Sequence, residues 1–287
     1  MFIQQRIFYL KISGYIILFI ALLTLIGWQF NITAFKSFSN EMTAMNPLTA
    51  VTFIVSGYWL IINQNNKWDS KISSVIPGLI ILLVGISHAL AHLFLWEWLR
   101  FDHYIFKSKV ELSIINAHMA PITAILFILT GLSILTSFSK ENWILKTRSI
   151  LSIIIFLLAY ASILGYLYGR NSAYRVEGVS TIELSTAILF LFLSIGLFLS
   201  NIQTGLPQLF TSMLEGSSLF RRVTIFMLIF PPLLGYLRIL GEDKNLFNHE
   251  YGSELFTIIF TIVIFILIYY YAHLLNKKQK VSLALEK

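Results

Sequence analysis

The segment from Ile150 to Tyr168 contains no charged residue, and this feature restricts the possible folds more than any other. About 20 consecutive apolar residues form a helix long enough to cross the hydrocarbon core of a bilayer, where the backbone must satisfy its own hydrogen bonds. Charged residues make up 12% of the chain, about half the share of a typical soluble domain. The sequence therefore predicts an all-α integral membrane protein.

Eight apolar segments follow this pattern along the chain. We predict transmembrane helices at residues 9–29, 46–63, 73–95, 117–137, 149–168, 181–200, 221–240 and 252–275. Together they form one polytopic membrane domain (1–275), followed by a short basic cytoplasmic tail (276–287). The first segment is interpreted as a retained span, because it is long for a secretory signal peptide and no small-x-small cleavage site follows before Asn31. The chain has no cysteine, which excludes disulfides, thiolate metal sites and cysteine nucleophiles.

The distribution of basic residues predicts the orientation, because Lys and Arg concentrate in short loops on the cytoplasmic side. With both termini inside, the inner segments contain 13 basic and 4 acidic residues, a net charge of +9. The outer segments then contain 8 basic and 10 acidic residues, a net charge of −2. We therefore predict a multi-pass protein of the bacterial cytoplasmic membrane with both termini in the cytoplasm. Since this topology accounts for the positive charge, no nucleic-acid interface is expected.

A short motif recurs at the start of three inward-running helices. It is Met-Asn-Pro-Leu-Thr-Ala-Val-Thr-Phe at 45–53, Met-Ala-Pro-Ile-Thr-Ala-Ile-Leu-Phe at 119–127 and Glu-Leu-Ser-Thr-Ala-Ile-Leu-Phe at 183–190. Outward-running spans share Leu-Ile-Gly-Trp at 25–28, Ile-Leu-Gly-Tyr at 163–166 and Leu-Leu-Gly-Tyr at 233–236. These recurrences predict four repeated helical hairpins, of which the fourth lacks the Thr-Ala pair.

The residues of this motif suit helix packing. Proline in the first turn lacks an N–H that would be unpaired anyway. A threonine hydroxyl bonds to its own helix or to a neighbour, and small residues let two backbones approach closely. The packing positions are Pro47, Thr49, Ala50, Pro121, Thr123, Ala124, Thr186 and Ala187. We interpret them as packing residues in preference to ligand contacts.

Hairpins that carry Met-x-Pro-x-Thr-Ala after an outer loop resemble the N-terminal multi-pass membrane sensory domain of bacterial PAS, histidine-kinase and diguanylate-cyclase sensor proteins. The sequence Gly-Tyr-Leu-Arg at 235–238 extends this resemblance, which covers roughly residues 15–275. The resemblance implies a module that binds a small or lipidic ligand. No kinase or cyclase motif is present, so the module would signal to a separate cytoplasmic kinase or cyclase and would not itself be an enzyme. A homodimer is left open.

Histidines of the third span and the following helix are candidate metal or haem ligands. His88 and His92 share one helix face, and ionisable residues at membrane depth are functional candidates. Further donors on the same predicted side are Glu97, His103, His118 and Met119, which suit zinc, copper or haem iron. The alternative is that each histidine hydrogen-bonds a neighbouring helix. We therefore predict no cofactor and keep a metal or haem site as the alternative.

Three residues of the seventh span are also singled out. Pro231 and Pro232 are a candidate hinge, because they remove backbone donors in mid-helix. Arg238 either pairs with an acid or binds an anionic ligand through its forked guanidinium. No catalytic constellation is found. Internal repeats and broken helices are also typical of transporters, so a small-molecule transporter is one alternative function. A metal- or haem-binding redox protein that uses His88 and His92 is the other.

Overall fold

A computed structural model describes residues 2–37, 43–63, 71–101, 105–106, 118–168, 182–202 and 204–285. Throughout these ranges the chain forms helices joined by turns, with no strand, which confirms the predicted all-α class. The helices are α1 (Phe2–Phe30), α2 (Thr33–Lys36), α3 (Pro47–Ile62), α4 (Ile72–Phe94), α5 (Pro121–Leu135), α6 (Asn142–Leu167), α7 (Leu184–Ser200), α8 (Gly205–Thr211), α9 (Glu215–Asp243) and α10 (His249–Leu285). A 3-10 turn, Glu97–Leu99, follows α4.

Five helical segments of the described chain are long and apolar enough to cross a membrane. They are Arg6–Phe30, Ile72–Phe94, Asn142–Leu167, Glu215–Asp243 and His249–Tyr271. A sixth path consists of α7 and α8, which are bent by 90° at the break between them. The apolar helices α3 and α5 have 16 and 15 residues and are about 24 Å long or less at 1.5 Å per residue. Each of the eight predicted segments thus overlaps a helix, and the five long ones identify a multi-pass membrane protein.

The chain divides into two compact units, Met1–Thr211 and Ser212–Lys287. In the first unit the most extensive contacts join α1 with α3, α4 with α5, and α6 with α7. Close contacts between glycines and facing backbone mark two of these pairs. A Cβ added to Gly14 of α1 would lie 2.9 Å from the carbonyl oxygen of Gly57 on α3, and one added to Gly131 of α5 would lie 2.7 Å from the backbone nitrogen of Leu82 on α4. Only glycine permits backbones to approach this closely.

The paired helices run antiparallel. Early residues of α1 face late residues of α3, and the end of α1 contacts Met45 just before α3 through Trp28. At the two ends of the α6–α7 pair, Tyr166 contacts Ile182 and Asn201 contacts Leu145. Therefore α3, α5 and α7 begin at one end of the first unit. We call it the T-A end, after the Thr-Ala pair in the first turn of each of these helices.

The second unit contains α9 and α10. Helix α9 is continuous through Pro231 and Pro232, both of which are half-buried. Helix α10 has 37 residues and is therefore about 55 Å long, longer than the roughly 30 Å hydrocarbon core. Its described backbone continues beyond the apolar segment His249–Tyr271 as a single helix to Leu285. The hinge role of the two prolines remains a prediction.

Candidate functional site

Three phenylalanines from three helices meet in the core of the first unit. Phe53 of α3, Phe127 of α5 and Phe190 of α7 are fully buried. Their ring centroids are 4.8 to 5.2 Å apart, with the planes inclined by 55 to 64°. Tilted and edge-to-face rings at these distances are favourable beyond the area they bury. Each phenylalanine ends one copy of the recurring motif, so the three motifs meet at this cluster.

A layer of threonines lies next to the phenylalanine cluster, toward the T-A end. Thr49, Thr123 and Thr186 each precede a clustered phenylalanine by four residues, which places them on the same helix face one turn earlier. All three are 0% exposed. The Oγ1 atoms of Thr49 and Thr123 have no hydrogen-bond partner in the described part of the chain. By contrast, Thr52 donates to the carbonyl of Leu48 at 2.8 Å, the usual arrangement for a helical threonine.

Glu183 brings a carboxyl group to this layer. It is the N-cap residue of α7 and precedes the helix, and it is 2% exposed. It precedes Thr186 by three residues at the start of the same helix. Within the described ranges its Oε2 atom has no hydrogen-bond partner. We call Thr49, Thr123, Thr186 and Glu183 the polar layer.

The corresponding N-cap positions of the other two helices are not ionisable. Asn46 caps α3, and its side chain accepts a hydrogen bond from the backbone N–H of Leu48 at 2.8 Å. Ala120 caps α5 and has no polar side chain. Both are 0% exposed. The three helix starts therefore have similar burial but differ in chemistry, and only α7 presents a carboxyl group.

Each helix pair of the first unit is closed at the T-A end by a hydrogen bond from a side chain to a backbone carbonyl. Trp28 Nε1 donates to Met45 at 2.8 Å, His92 Nε2 donates to Met119 at 2.9 Å, and the Tyr166 hydroxyl donates to Ile182 at 2.8 Å. A carbonyl can only accept, so the proton of the His92 bond is on Nε2. Every acceptor lies two residues before the first helical residue of α3, α5 or α7. We call these three interactions the closing bonds.

Both candidate metal ligands of the third predicted span, His88 and His92, contact backbone carbonyls. His88 is buried, and its Nδ1 lies 3.1 Å from the Val84 carbonyl of the preceding turn. His92 bonds to the carbonyl of Met119, which is itself buried, whereas His118 is half-buried. Such a bond through one ring nitrogen also orients metal-binding histidines, so the metal hypothesis stays a prediction.

Acidic side chains do not complete a metal site with these histidines among the residues that the structure describes. That part of the chain contains no group of three or more His, Cys, Asp or Glu that could hold a metal ion. His103 lies outside the described residues, and so does the side chain of Glu97. Of the six predicted donors, the structure therefore describes the side chains of four: His88, His92, His118 and Met119.

Arg238 forms an ion pair in the second unit. Its Nε lies 2.7 Å from Oε1 of Glu242, one helical turn later, and its Nη2 donates to Nδ1 of His249 at 2.7 Å. The carboxyl group of Glu242 is also 3.3 Å from His249 Nδ1. Arg238 is thus paired with an acid, as one of the two predicted interpretations expects, and the sequence analysis missed its contact with His249.

No family model, curated protein or solved structure matches the chain. The fold and the site define a multi-pass helical membrane protein whose first unit encloses the polar layer.

Proposed function

We propose that this protein is a membrane sensory module that binds a small polar or lipidic ligand at the polar layer and signals to a separate cytoplasmic protein. The buried oxygens of Thr49, Thr123 and Glu183 carry the proposal. An unpaired polar atom in a protein interior costs about 1–3 kcal/mol, and native proteins pair nearly all such atoms with protein, water or ligand. Three buried oxygens near the starts of α3, α5 and α7, without a partner among the described residues, suit an added partner.

The surroundings of the polar layer support a ligand-driven change in packing. Below it the phenylalanine cluster joins α3, α5 and α7 directly, so a shift at one helix start changes the packing of the other two helices. Above it the closing bonds connect each helix start to the end of its paired helix. Closely packed helices shift between discrete arrangements and do not deform continuously. Ligand binding at the layer would thus select one arrangement of the three helix pairs.

The same observations support four helical hairpins and eight spans with both termini in the cytoplasm. Three helix pairs share a closing bond, a buried threonine, a clustered phenylalanine and a small residue eight positions after the threonine: Gly57, Gly131 or Ser194. In this scheme α3 and α5 are short spans, and α9 with α10 is the fourth hairpin.

Signalling would proceed through the cytoplasmic side to a kinase or cyclase, as the family resemblance implies. Helix α10 supports this direction, because it continues without interruption from its apolar segment to Leu285. In the predicted topology this part of the helix leaves the bilayer on the cytoplasmic side. A continuous helix transmits rotation or translation more directly than a flexible linker.

A two-hybrid screen against the kinases and cyclases of the source organism tests the proposal. We expect one such protein to interact, and we expect its output to change when Thr123→Val or Glu183→Gln is introduced. Thr52→Val is the matched control, because Thr52 is equally buried but its hydroxyl bonds to its own helix. The proposal is wrong if no kinase, cyclase or other signalling protein interacts, or if the control changes the output as much as the layer variants.

A transporter is the second candidate, because the 90° bend between α7 and α8 resembles the discontinuous helices that line transporter sites. Substrate flux into proteoliposomes distinguishes it from a sensor, which should show none. The redox alternative predicts bound metal or a Soret band in the purified protein, reduced by His88→Ala and His92→Ala.

A further inference from the structure

Two arginines from different helix pairs meet at the end of the first unit opposite the T-A end. Arg6 of α1 donates from Nε to the carbonyl of Leu199 at 2.7 Å and from Nη2 to the carbonyl of Ser200 at 2.6 Å. Arg148 of α6 donates from Nη2 to the hydroxyl of the same Ser200 at 2.9 Å. A longer contact, 3.4 Å, joins its Nη1 to the carbonyl of Ser137. Both guanidinium groups therefore converge on the last residue of α7.

Among the residues that the structure describes, no carboxylate balances the positive charge at this position. Neither Arg6 nor Arg148 forms an ion pair within the described part of the chain, and their hydrogen-bond acceptors are carbonyls and a hydroxyl. The C-terminus of α7 supplies only about half a negative charge, against two full positive charges. Arg148 is 4% exposed, and its Nε has no hydrogen-bond partner among the described residues. Buried charges in proteins are normally paired, so this pair of guanidinium groups suits an anionic partner.

The position of the two arginines suits the phosphate level of a membrane. Arg6 is the first residue of the apolar segment Arg6–Phe30, and its side chain is only partly buried, so a ligand has access to it. Lys146 is exposed, and its stem passes 4.0 Å from the Cβ position of Gly205 at the start of α8. A third cation is therefore next to the bend between α7 and α8. Basic pockets between helices on the cytoplasmic side are where anionic headgroups bind.

We propose that Arg6 and Arg148 form a binding site for a phosphate group, supplied by an anionic lipid of the cytoplasmic leaflet. The phosphate oxygens accept hydrogen bonds from the guanidinium donors that the end of α7 leaves available, and they provide the missing counter-charge. Guanidinium forks match phosphate oxygens in geometry as well as charge. The bound lipid then stabilises the bend after Ser200.

The test measures the thermal unfolding midpoint of the full chain in neutral detergent during titration with phosphatidylglycerol, phosphatidylcholine or inorganic phosphate. Arg6→Gln is the main variant, because Arg6 is less buried than Arg148 and its loss is better tolerated. Arg222→Gln is the matched control: it removes the same charge from an exposed arginine on the same predicted face. Each midpoint shift is taken relative to the same variant without additive, which separates binding from the loss of the cap on α7.

We expect phosphatidylglycerol, but not phosphatidylcholine, to raise the midpoint of the wild type and of Arg222→Gln. In Arg6→Gln the apparent Kd should rise about tenfold, which corresponds to 1.4 kcal/mol. Arg6→Lys should recover part of the response, because it keeps the charge but not the fork. If inorganic phosphate produces the same rise as the lipid, the phosphate site is supported and the lipid source is wrong. The proposal is wrong, and the two arginines only cap α7, if Arg6→Gln responds like the wild type. It is also wrong if neither phosphatidylglycerol nor inorganic phosphate raises the midpoint.

Discussion

Replacement of Glu183 by asparagine should stabilise the ligand-free protein. Glu183 is the N-cap residue of α7 and is 2% exposed, and its Oε2 atom has no hydrogen-bond partner among the described residues. Asn46 occupies the same position before α3, where its side chain accepts a hydrogen bond from the backbone N–H of Leu48 at 2.8 Å. We expect an asparagine at position 183 to cap α7 in the same way.

The size of the effect has two contributions. A buried oxygen without a partner costs about 1–3 kcal/mol, and an asparagine N-cap contributes about 1 kcal/mol relative to a residue that does not cap. We therefore expect Glu183→Asn to raise the free energy of unfolding by about 2 kcal/mol.

Thermal unfolding in neutral detergent at one fixed pH, followed by tryptophan fluorescence, measures this difference. Glu141→Asn is the control, because Glu141 is the N-cap residue of α6, makes no side-chain cap hydrogen bond and is exposed. The control should therefore gain only the contribution of the cap. An equal gain for the two variants, or a loss of stability in Glu183→Asn, would refute the assignment of a buried oxygen without a partner.

Three further substitutions test the packing around the site, each by the unfolding midpoint at fixed pH. Thr123→Val should stabilise the ligand-free protein by about 1 kcal/mol, because it removes a buried hydroxyl without a partner in the described chain; a loss of stability would mean that the hydroxyl is paired. Gly131→Ala should destabilise by about 1–3 kcal/mol through a backbone clash with α4, whereas Gly216→Ala, which meets nothing within 4 Å, should not; equal effects would contradict the close approach. Tyr166→Phe should cost about 1 kcal/mol by deleting one closing bond, and an unchanged midpoint would show that the bond is not needed.

Much of the fold could be predicted from apolar length and spacing. Each predicted apolar segment overlaps a helix, since a backbone in lipid has few alternatives. Helix length was harder to predict. The predicted segments 46–63 and 117–137 are longer than α3 and α5, because Pro47 and Pro121 begin these helices. Whether such helices cross the bilayer depends on their depth, which the spacing of residues does not encode.

The candidate site was only partly visible in the sequence. The motif identified Thr49, Thr123 and Thr186 as packing positions, but it could not show which hydroxyls lack a partner, because this depends on the geometry of neighbouring helices. From its residue type alone, His92 is either a candidate metal ligand or a donor to a neighbouring helix. In the structure it makes the same closing bond as Trp28 and Tyr166, with which it shares little except a side-chain donor. A signal was present: a small residue precedes each donor, at Gly27, Ala91 and Gly165.

The three helix starts of the first unit differ in a way that helix capping does not require. Capping is satisfied at Asn46, whose neutral side chain bonds to its own helix, and Ala120 has no polar side chain at all. Glu183 occupies the same position with a carboxyl group, and one of its oxygens has no partner in the described chain. A scaffold that needed only a cap would be more stable with asparagine. Under the proposed function the carboxyl group serves the ligand, which supplies the missing hydrogen bond.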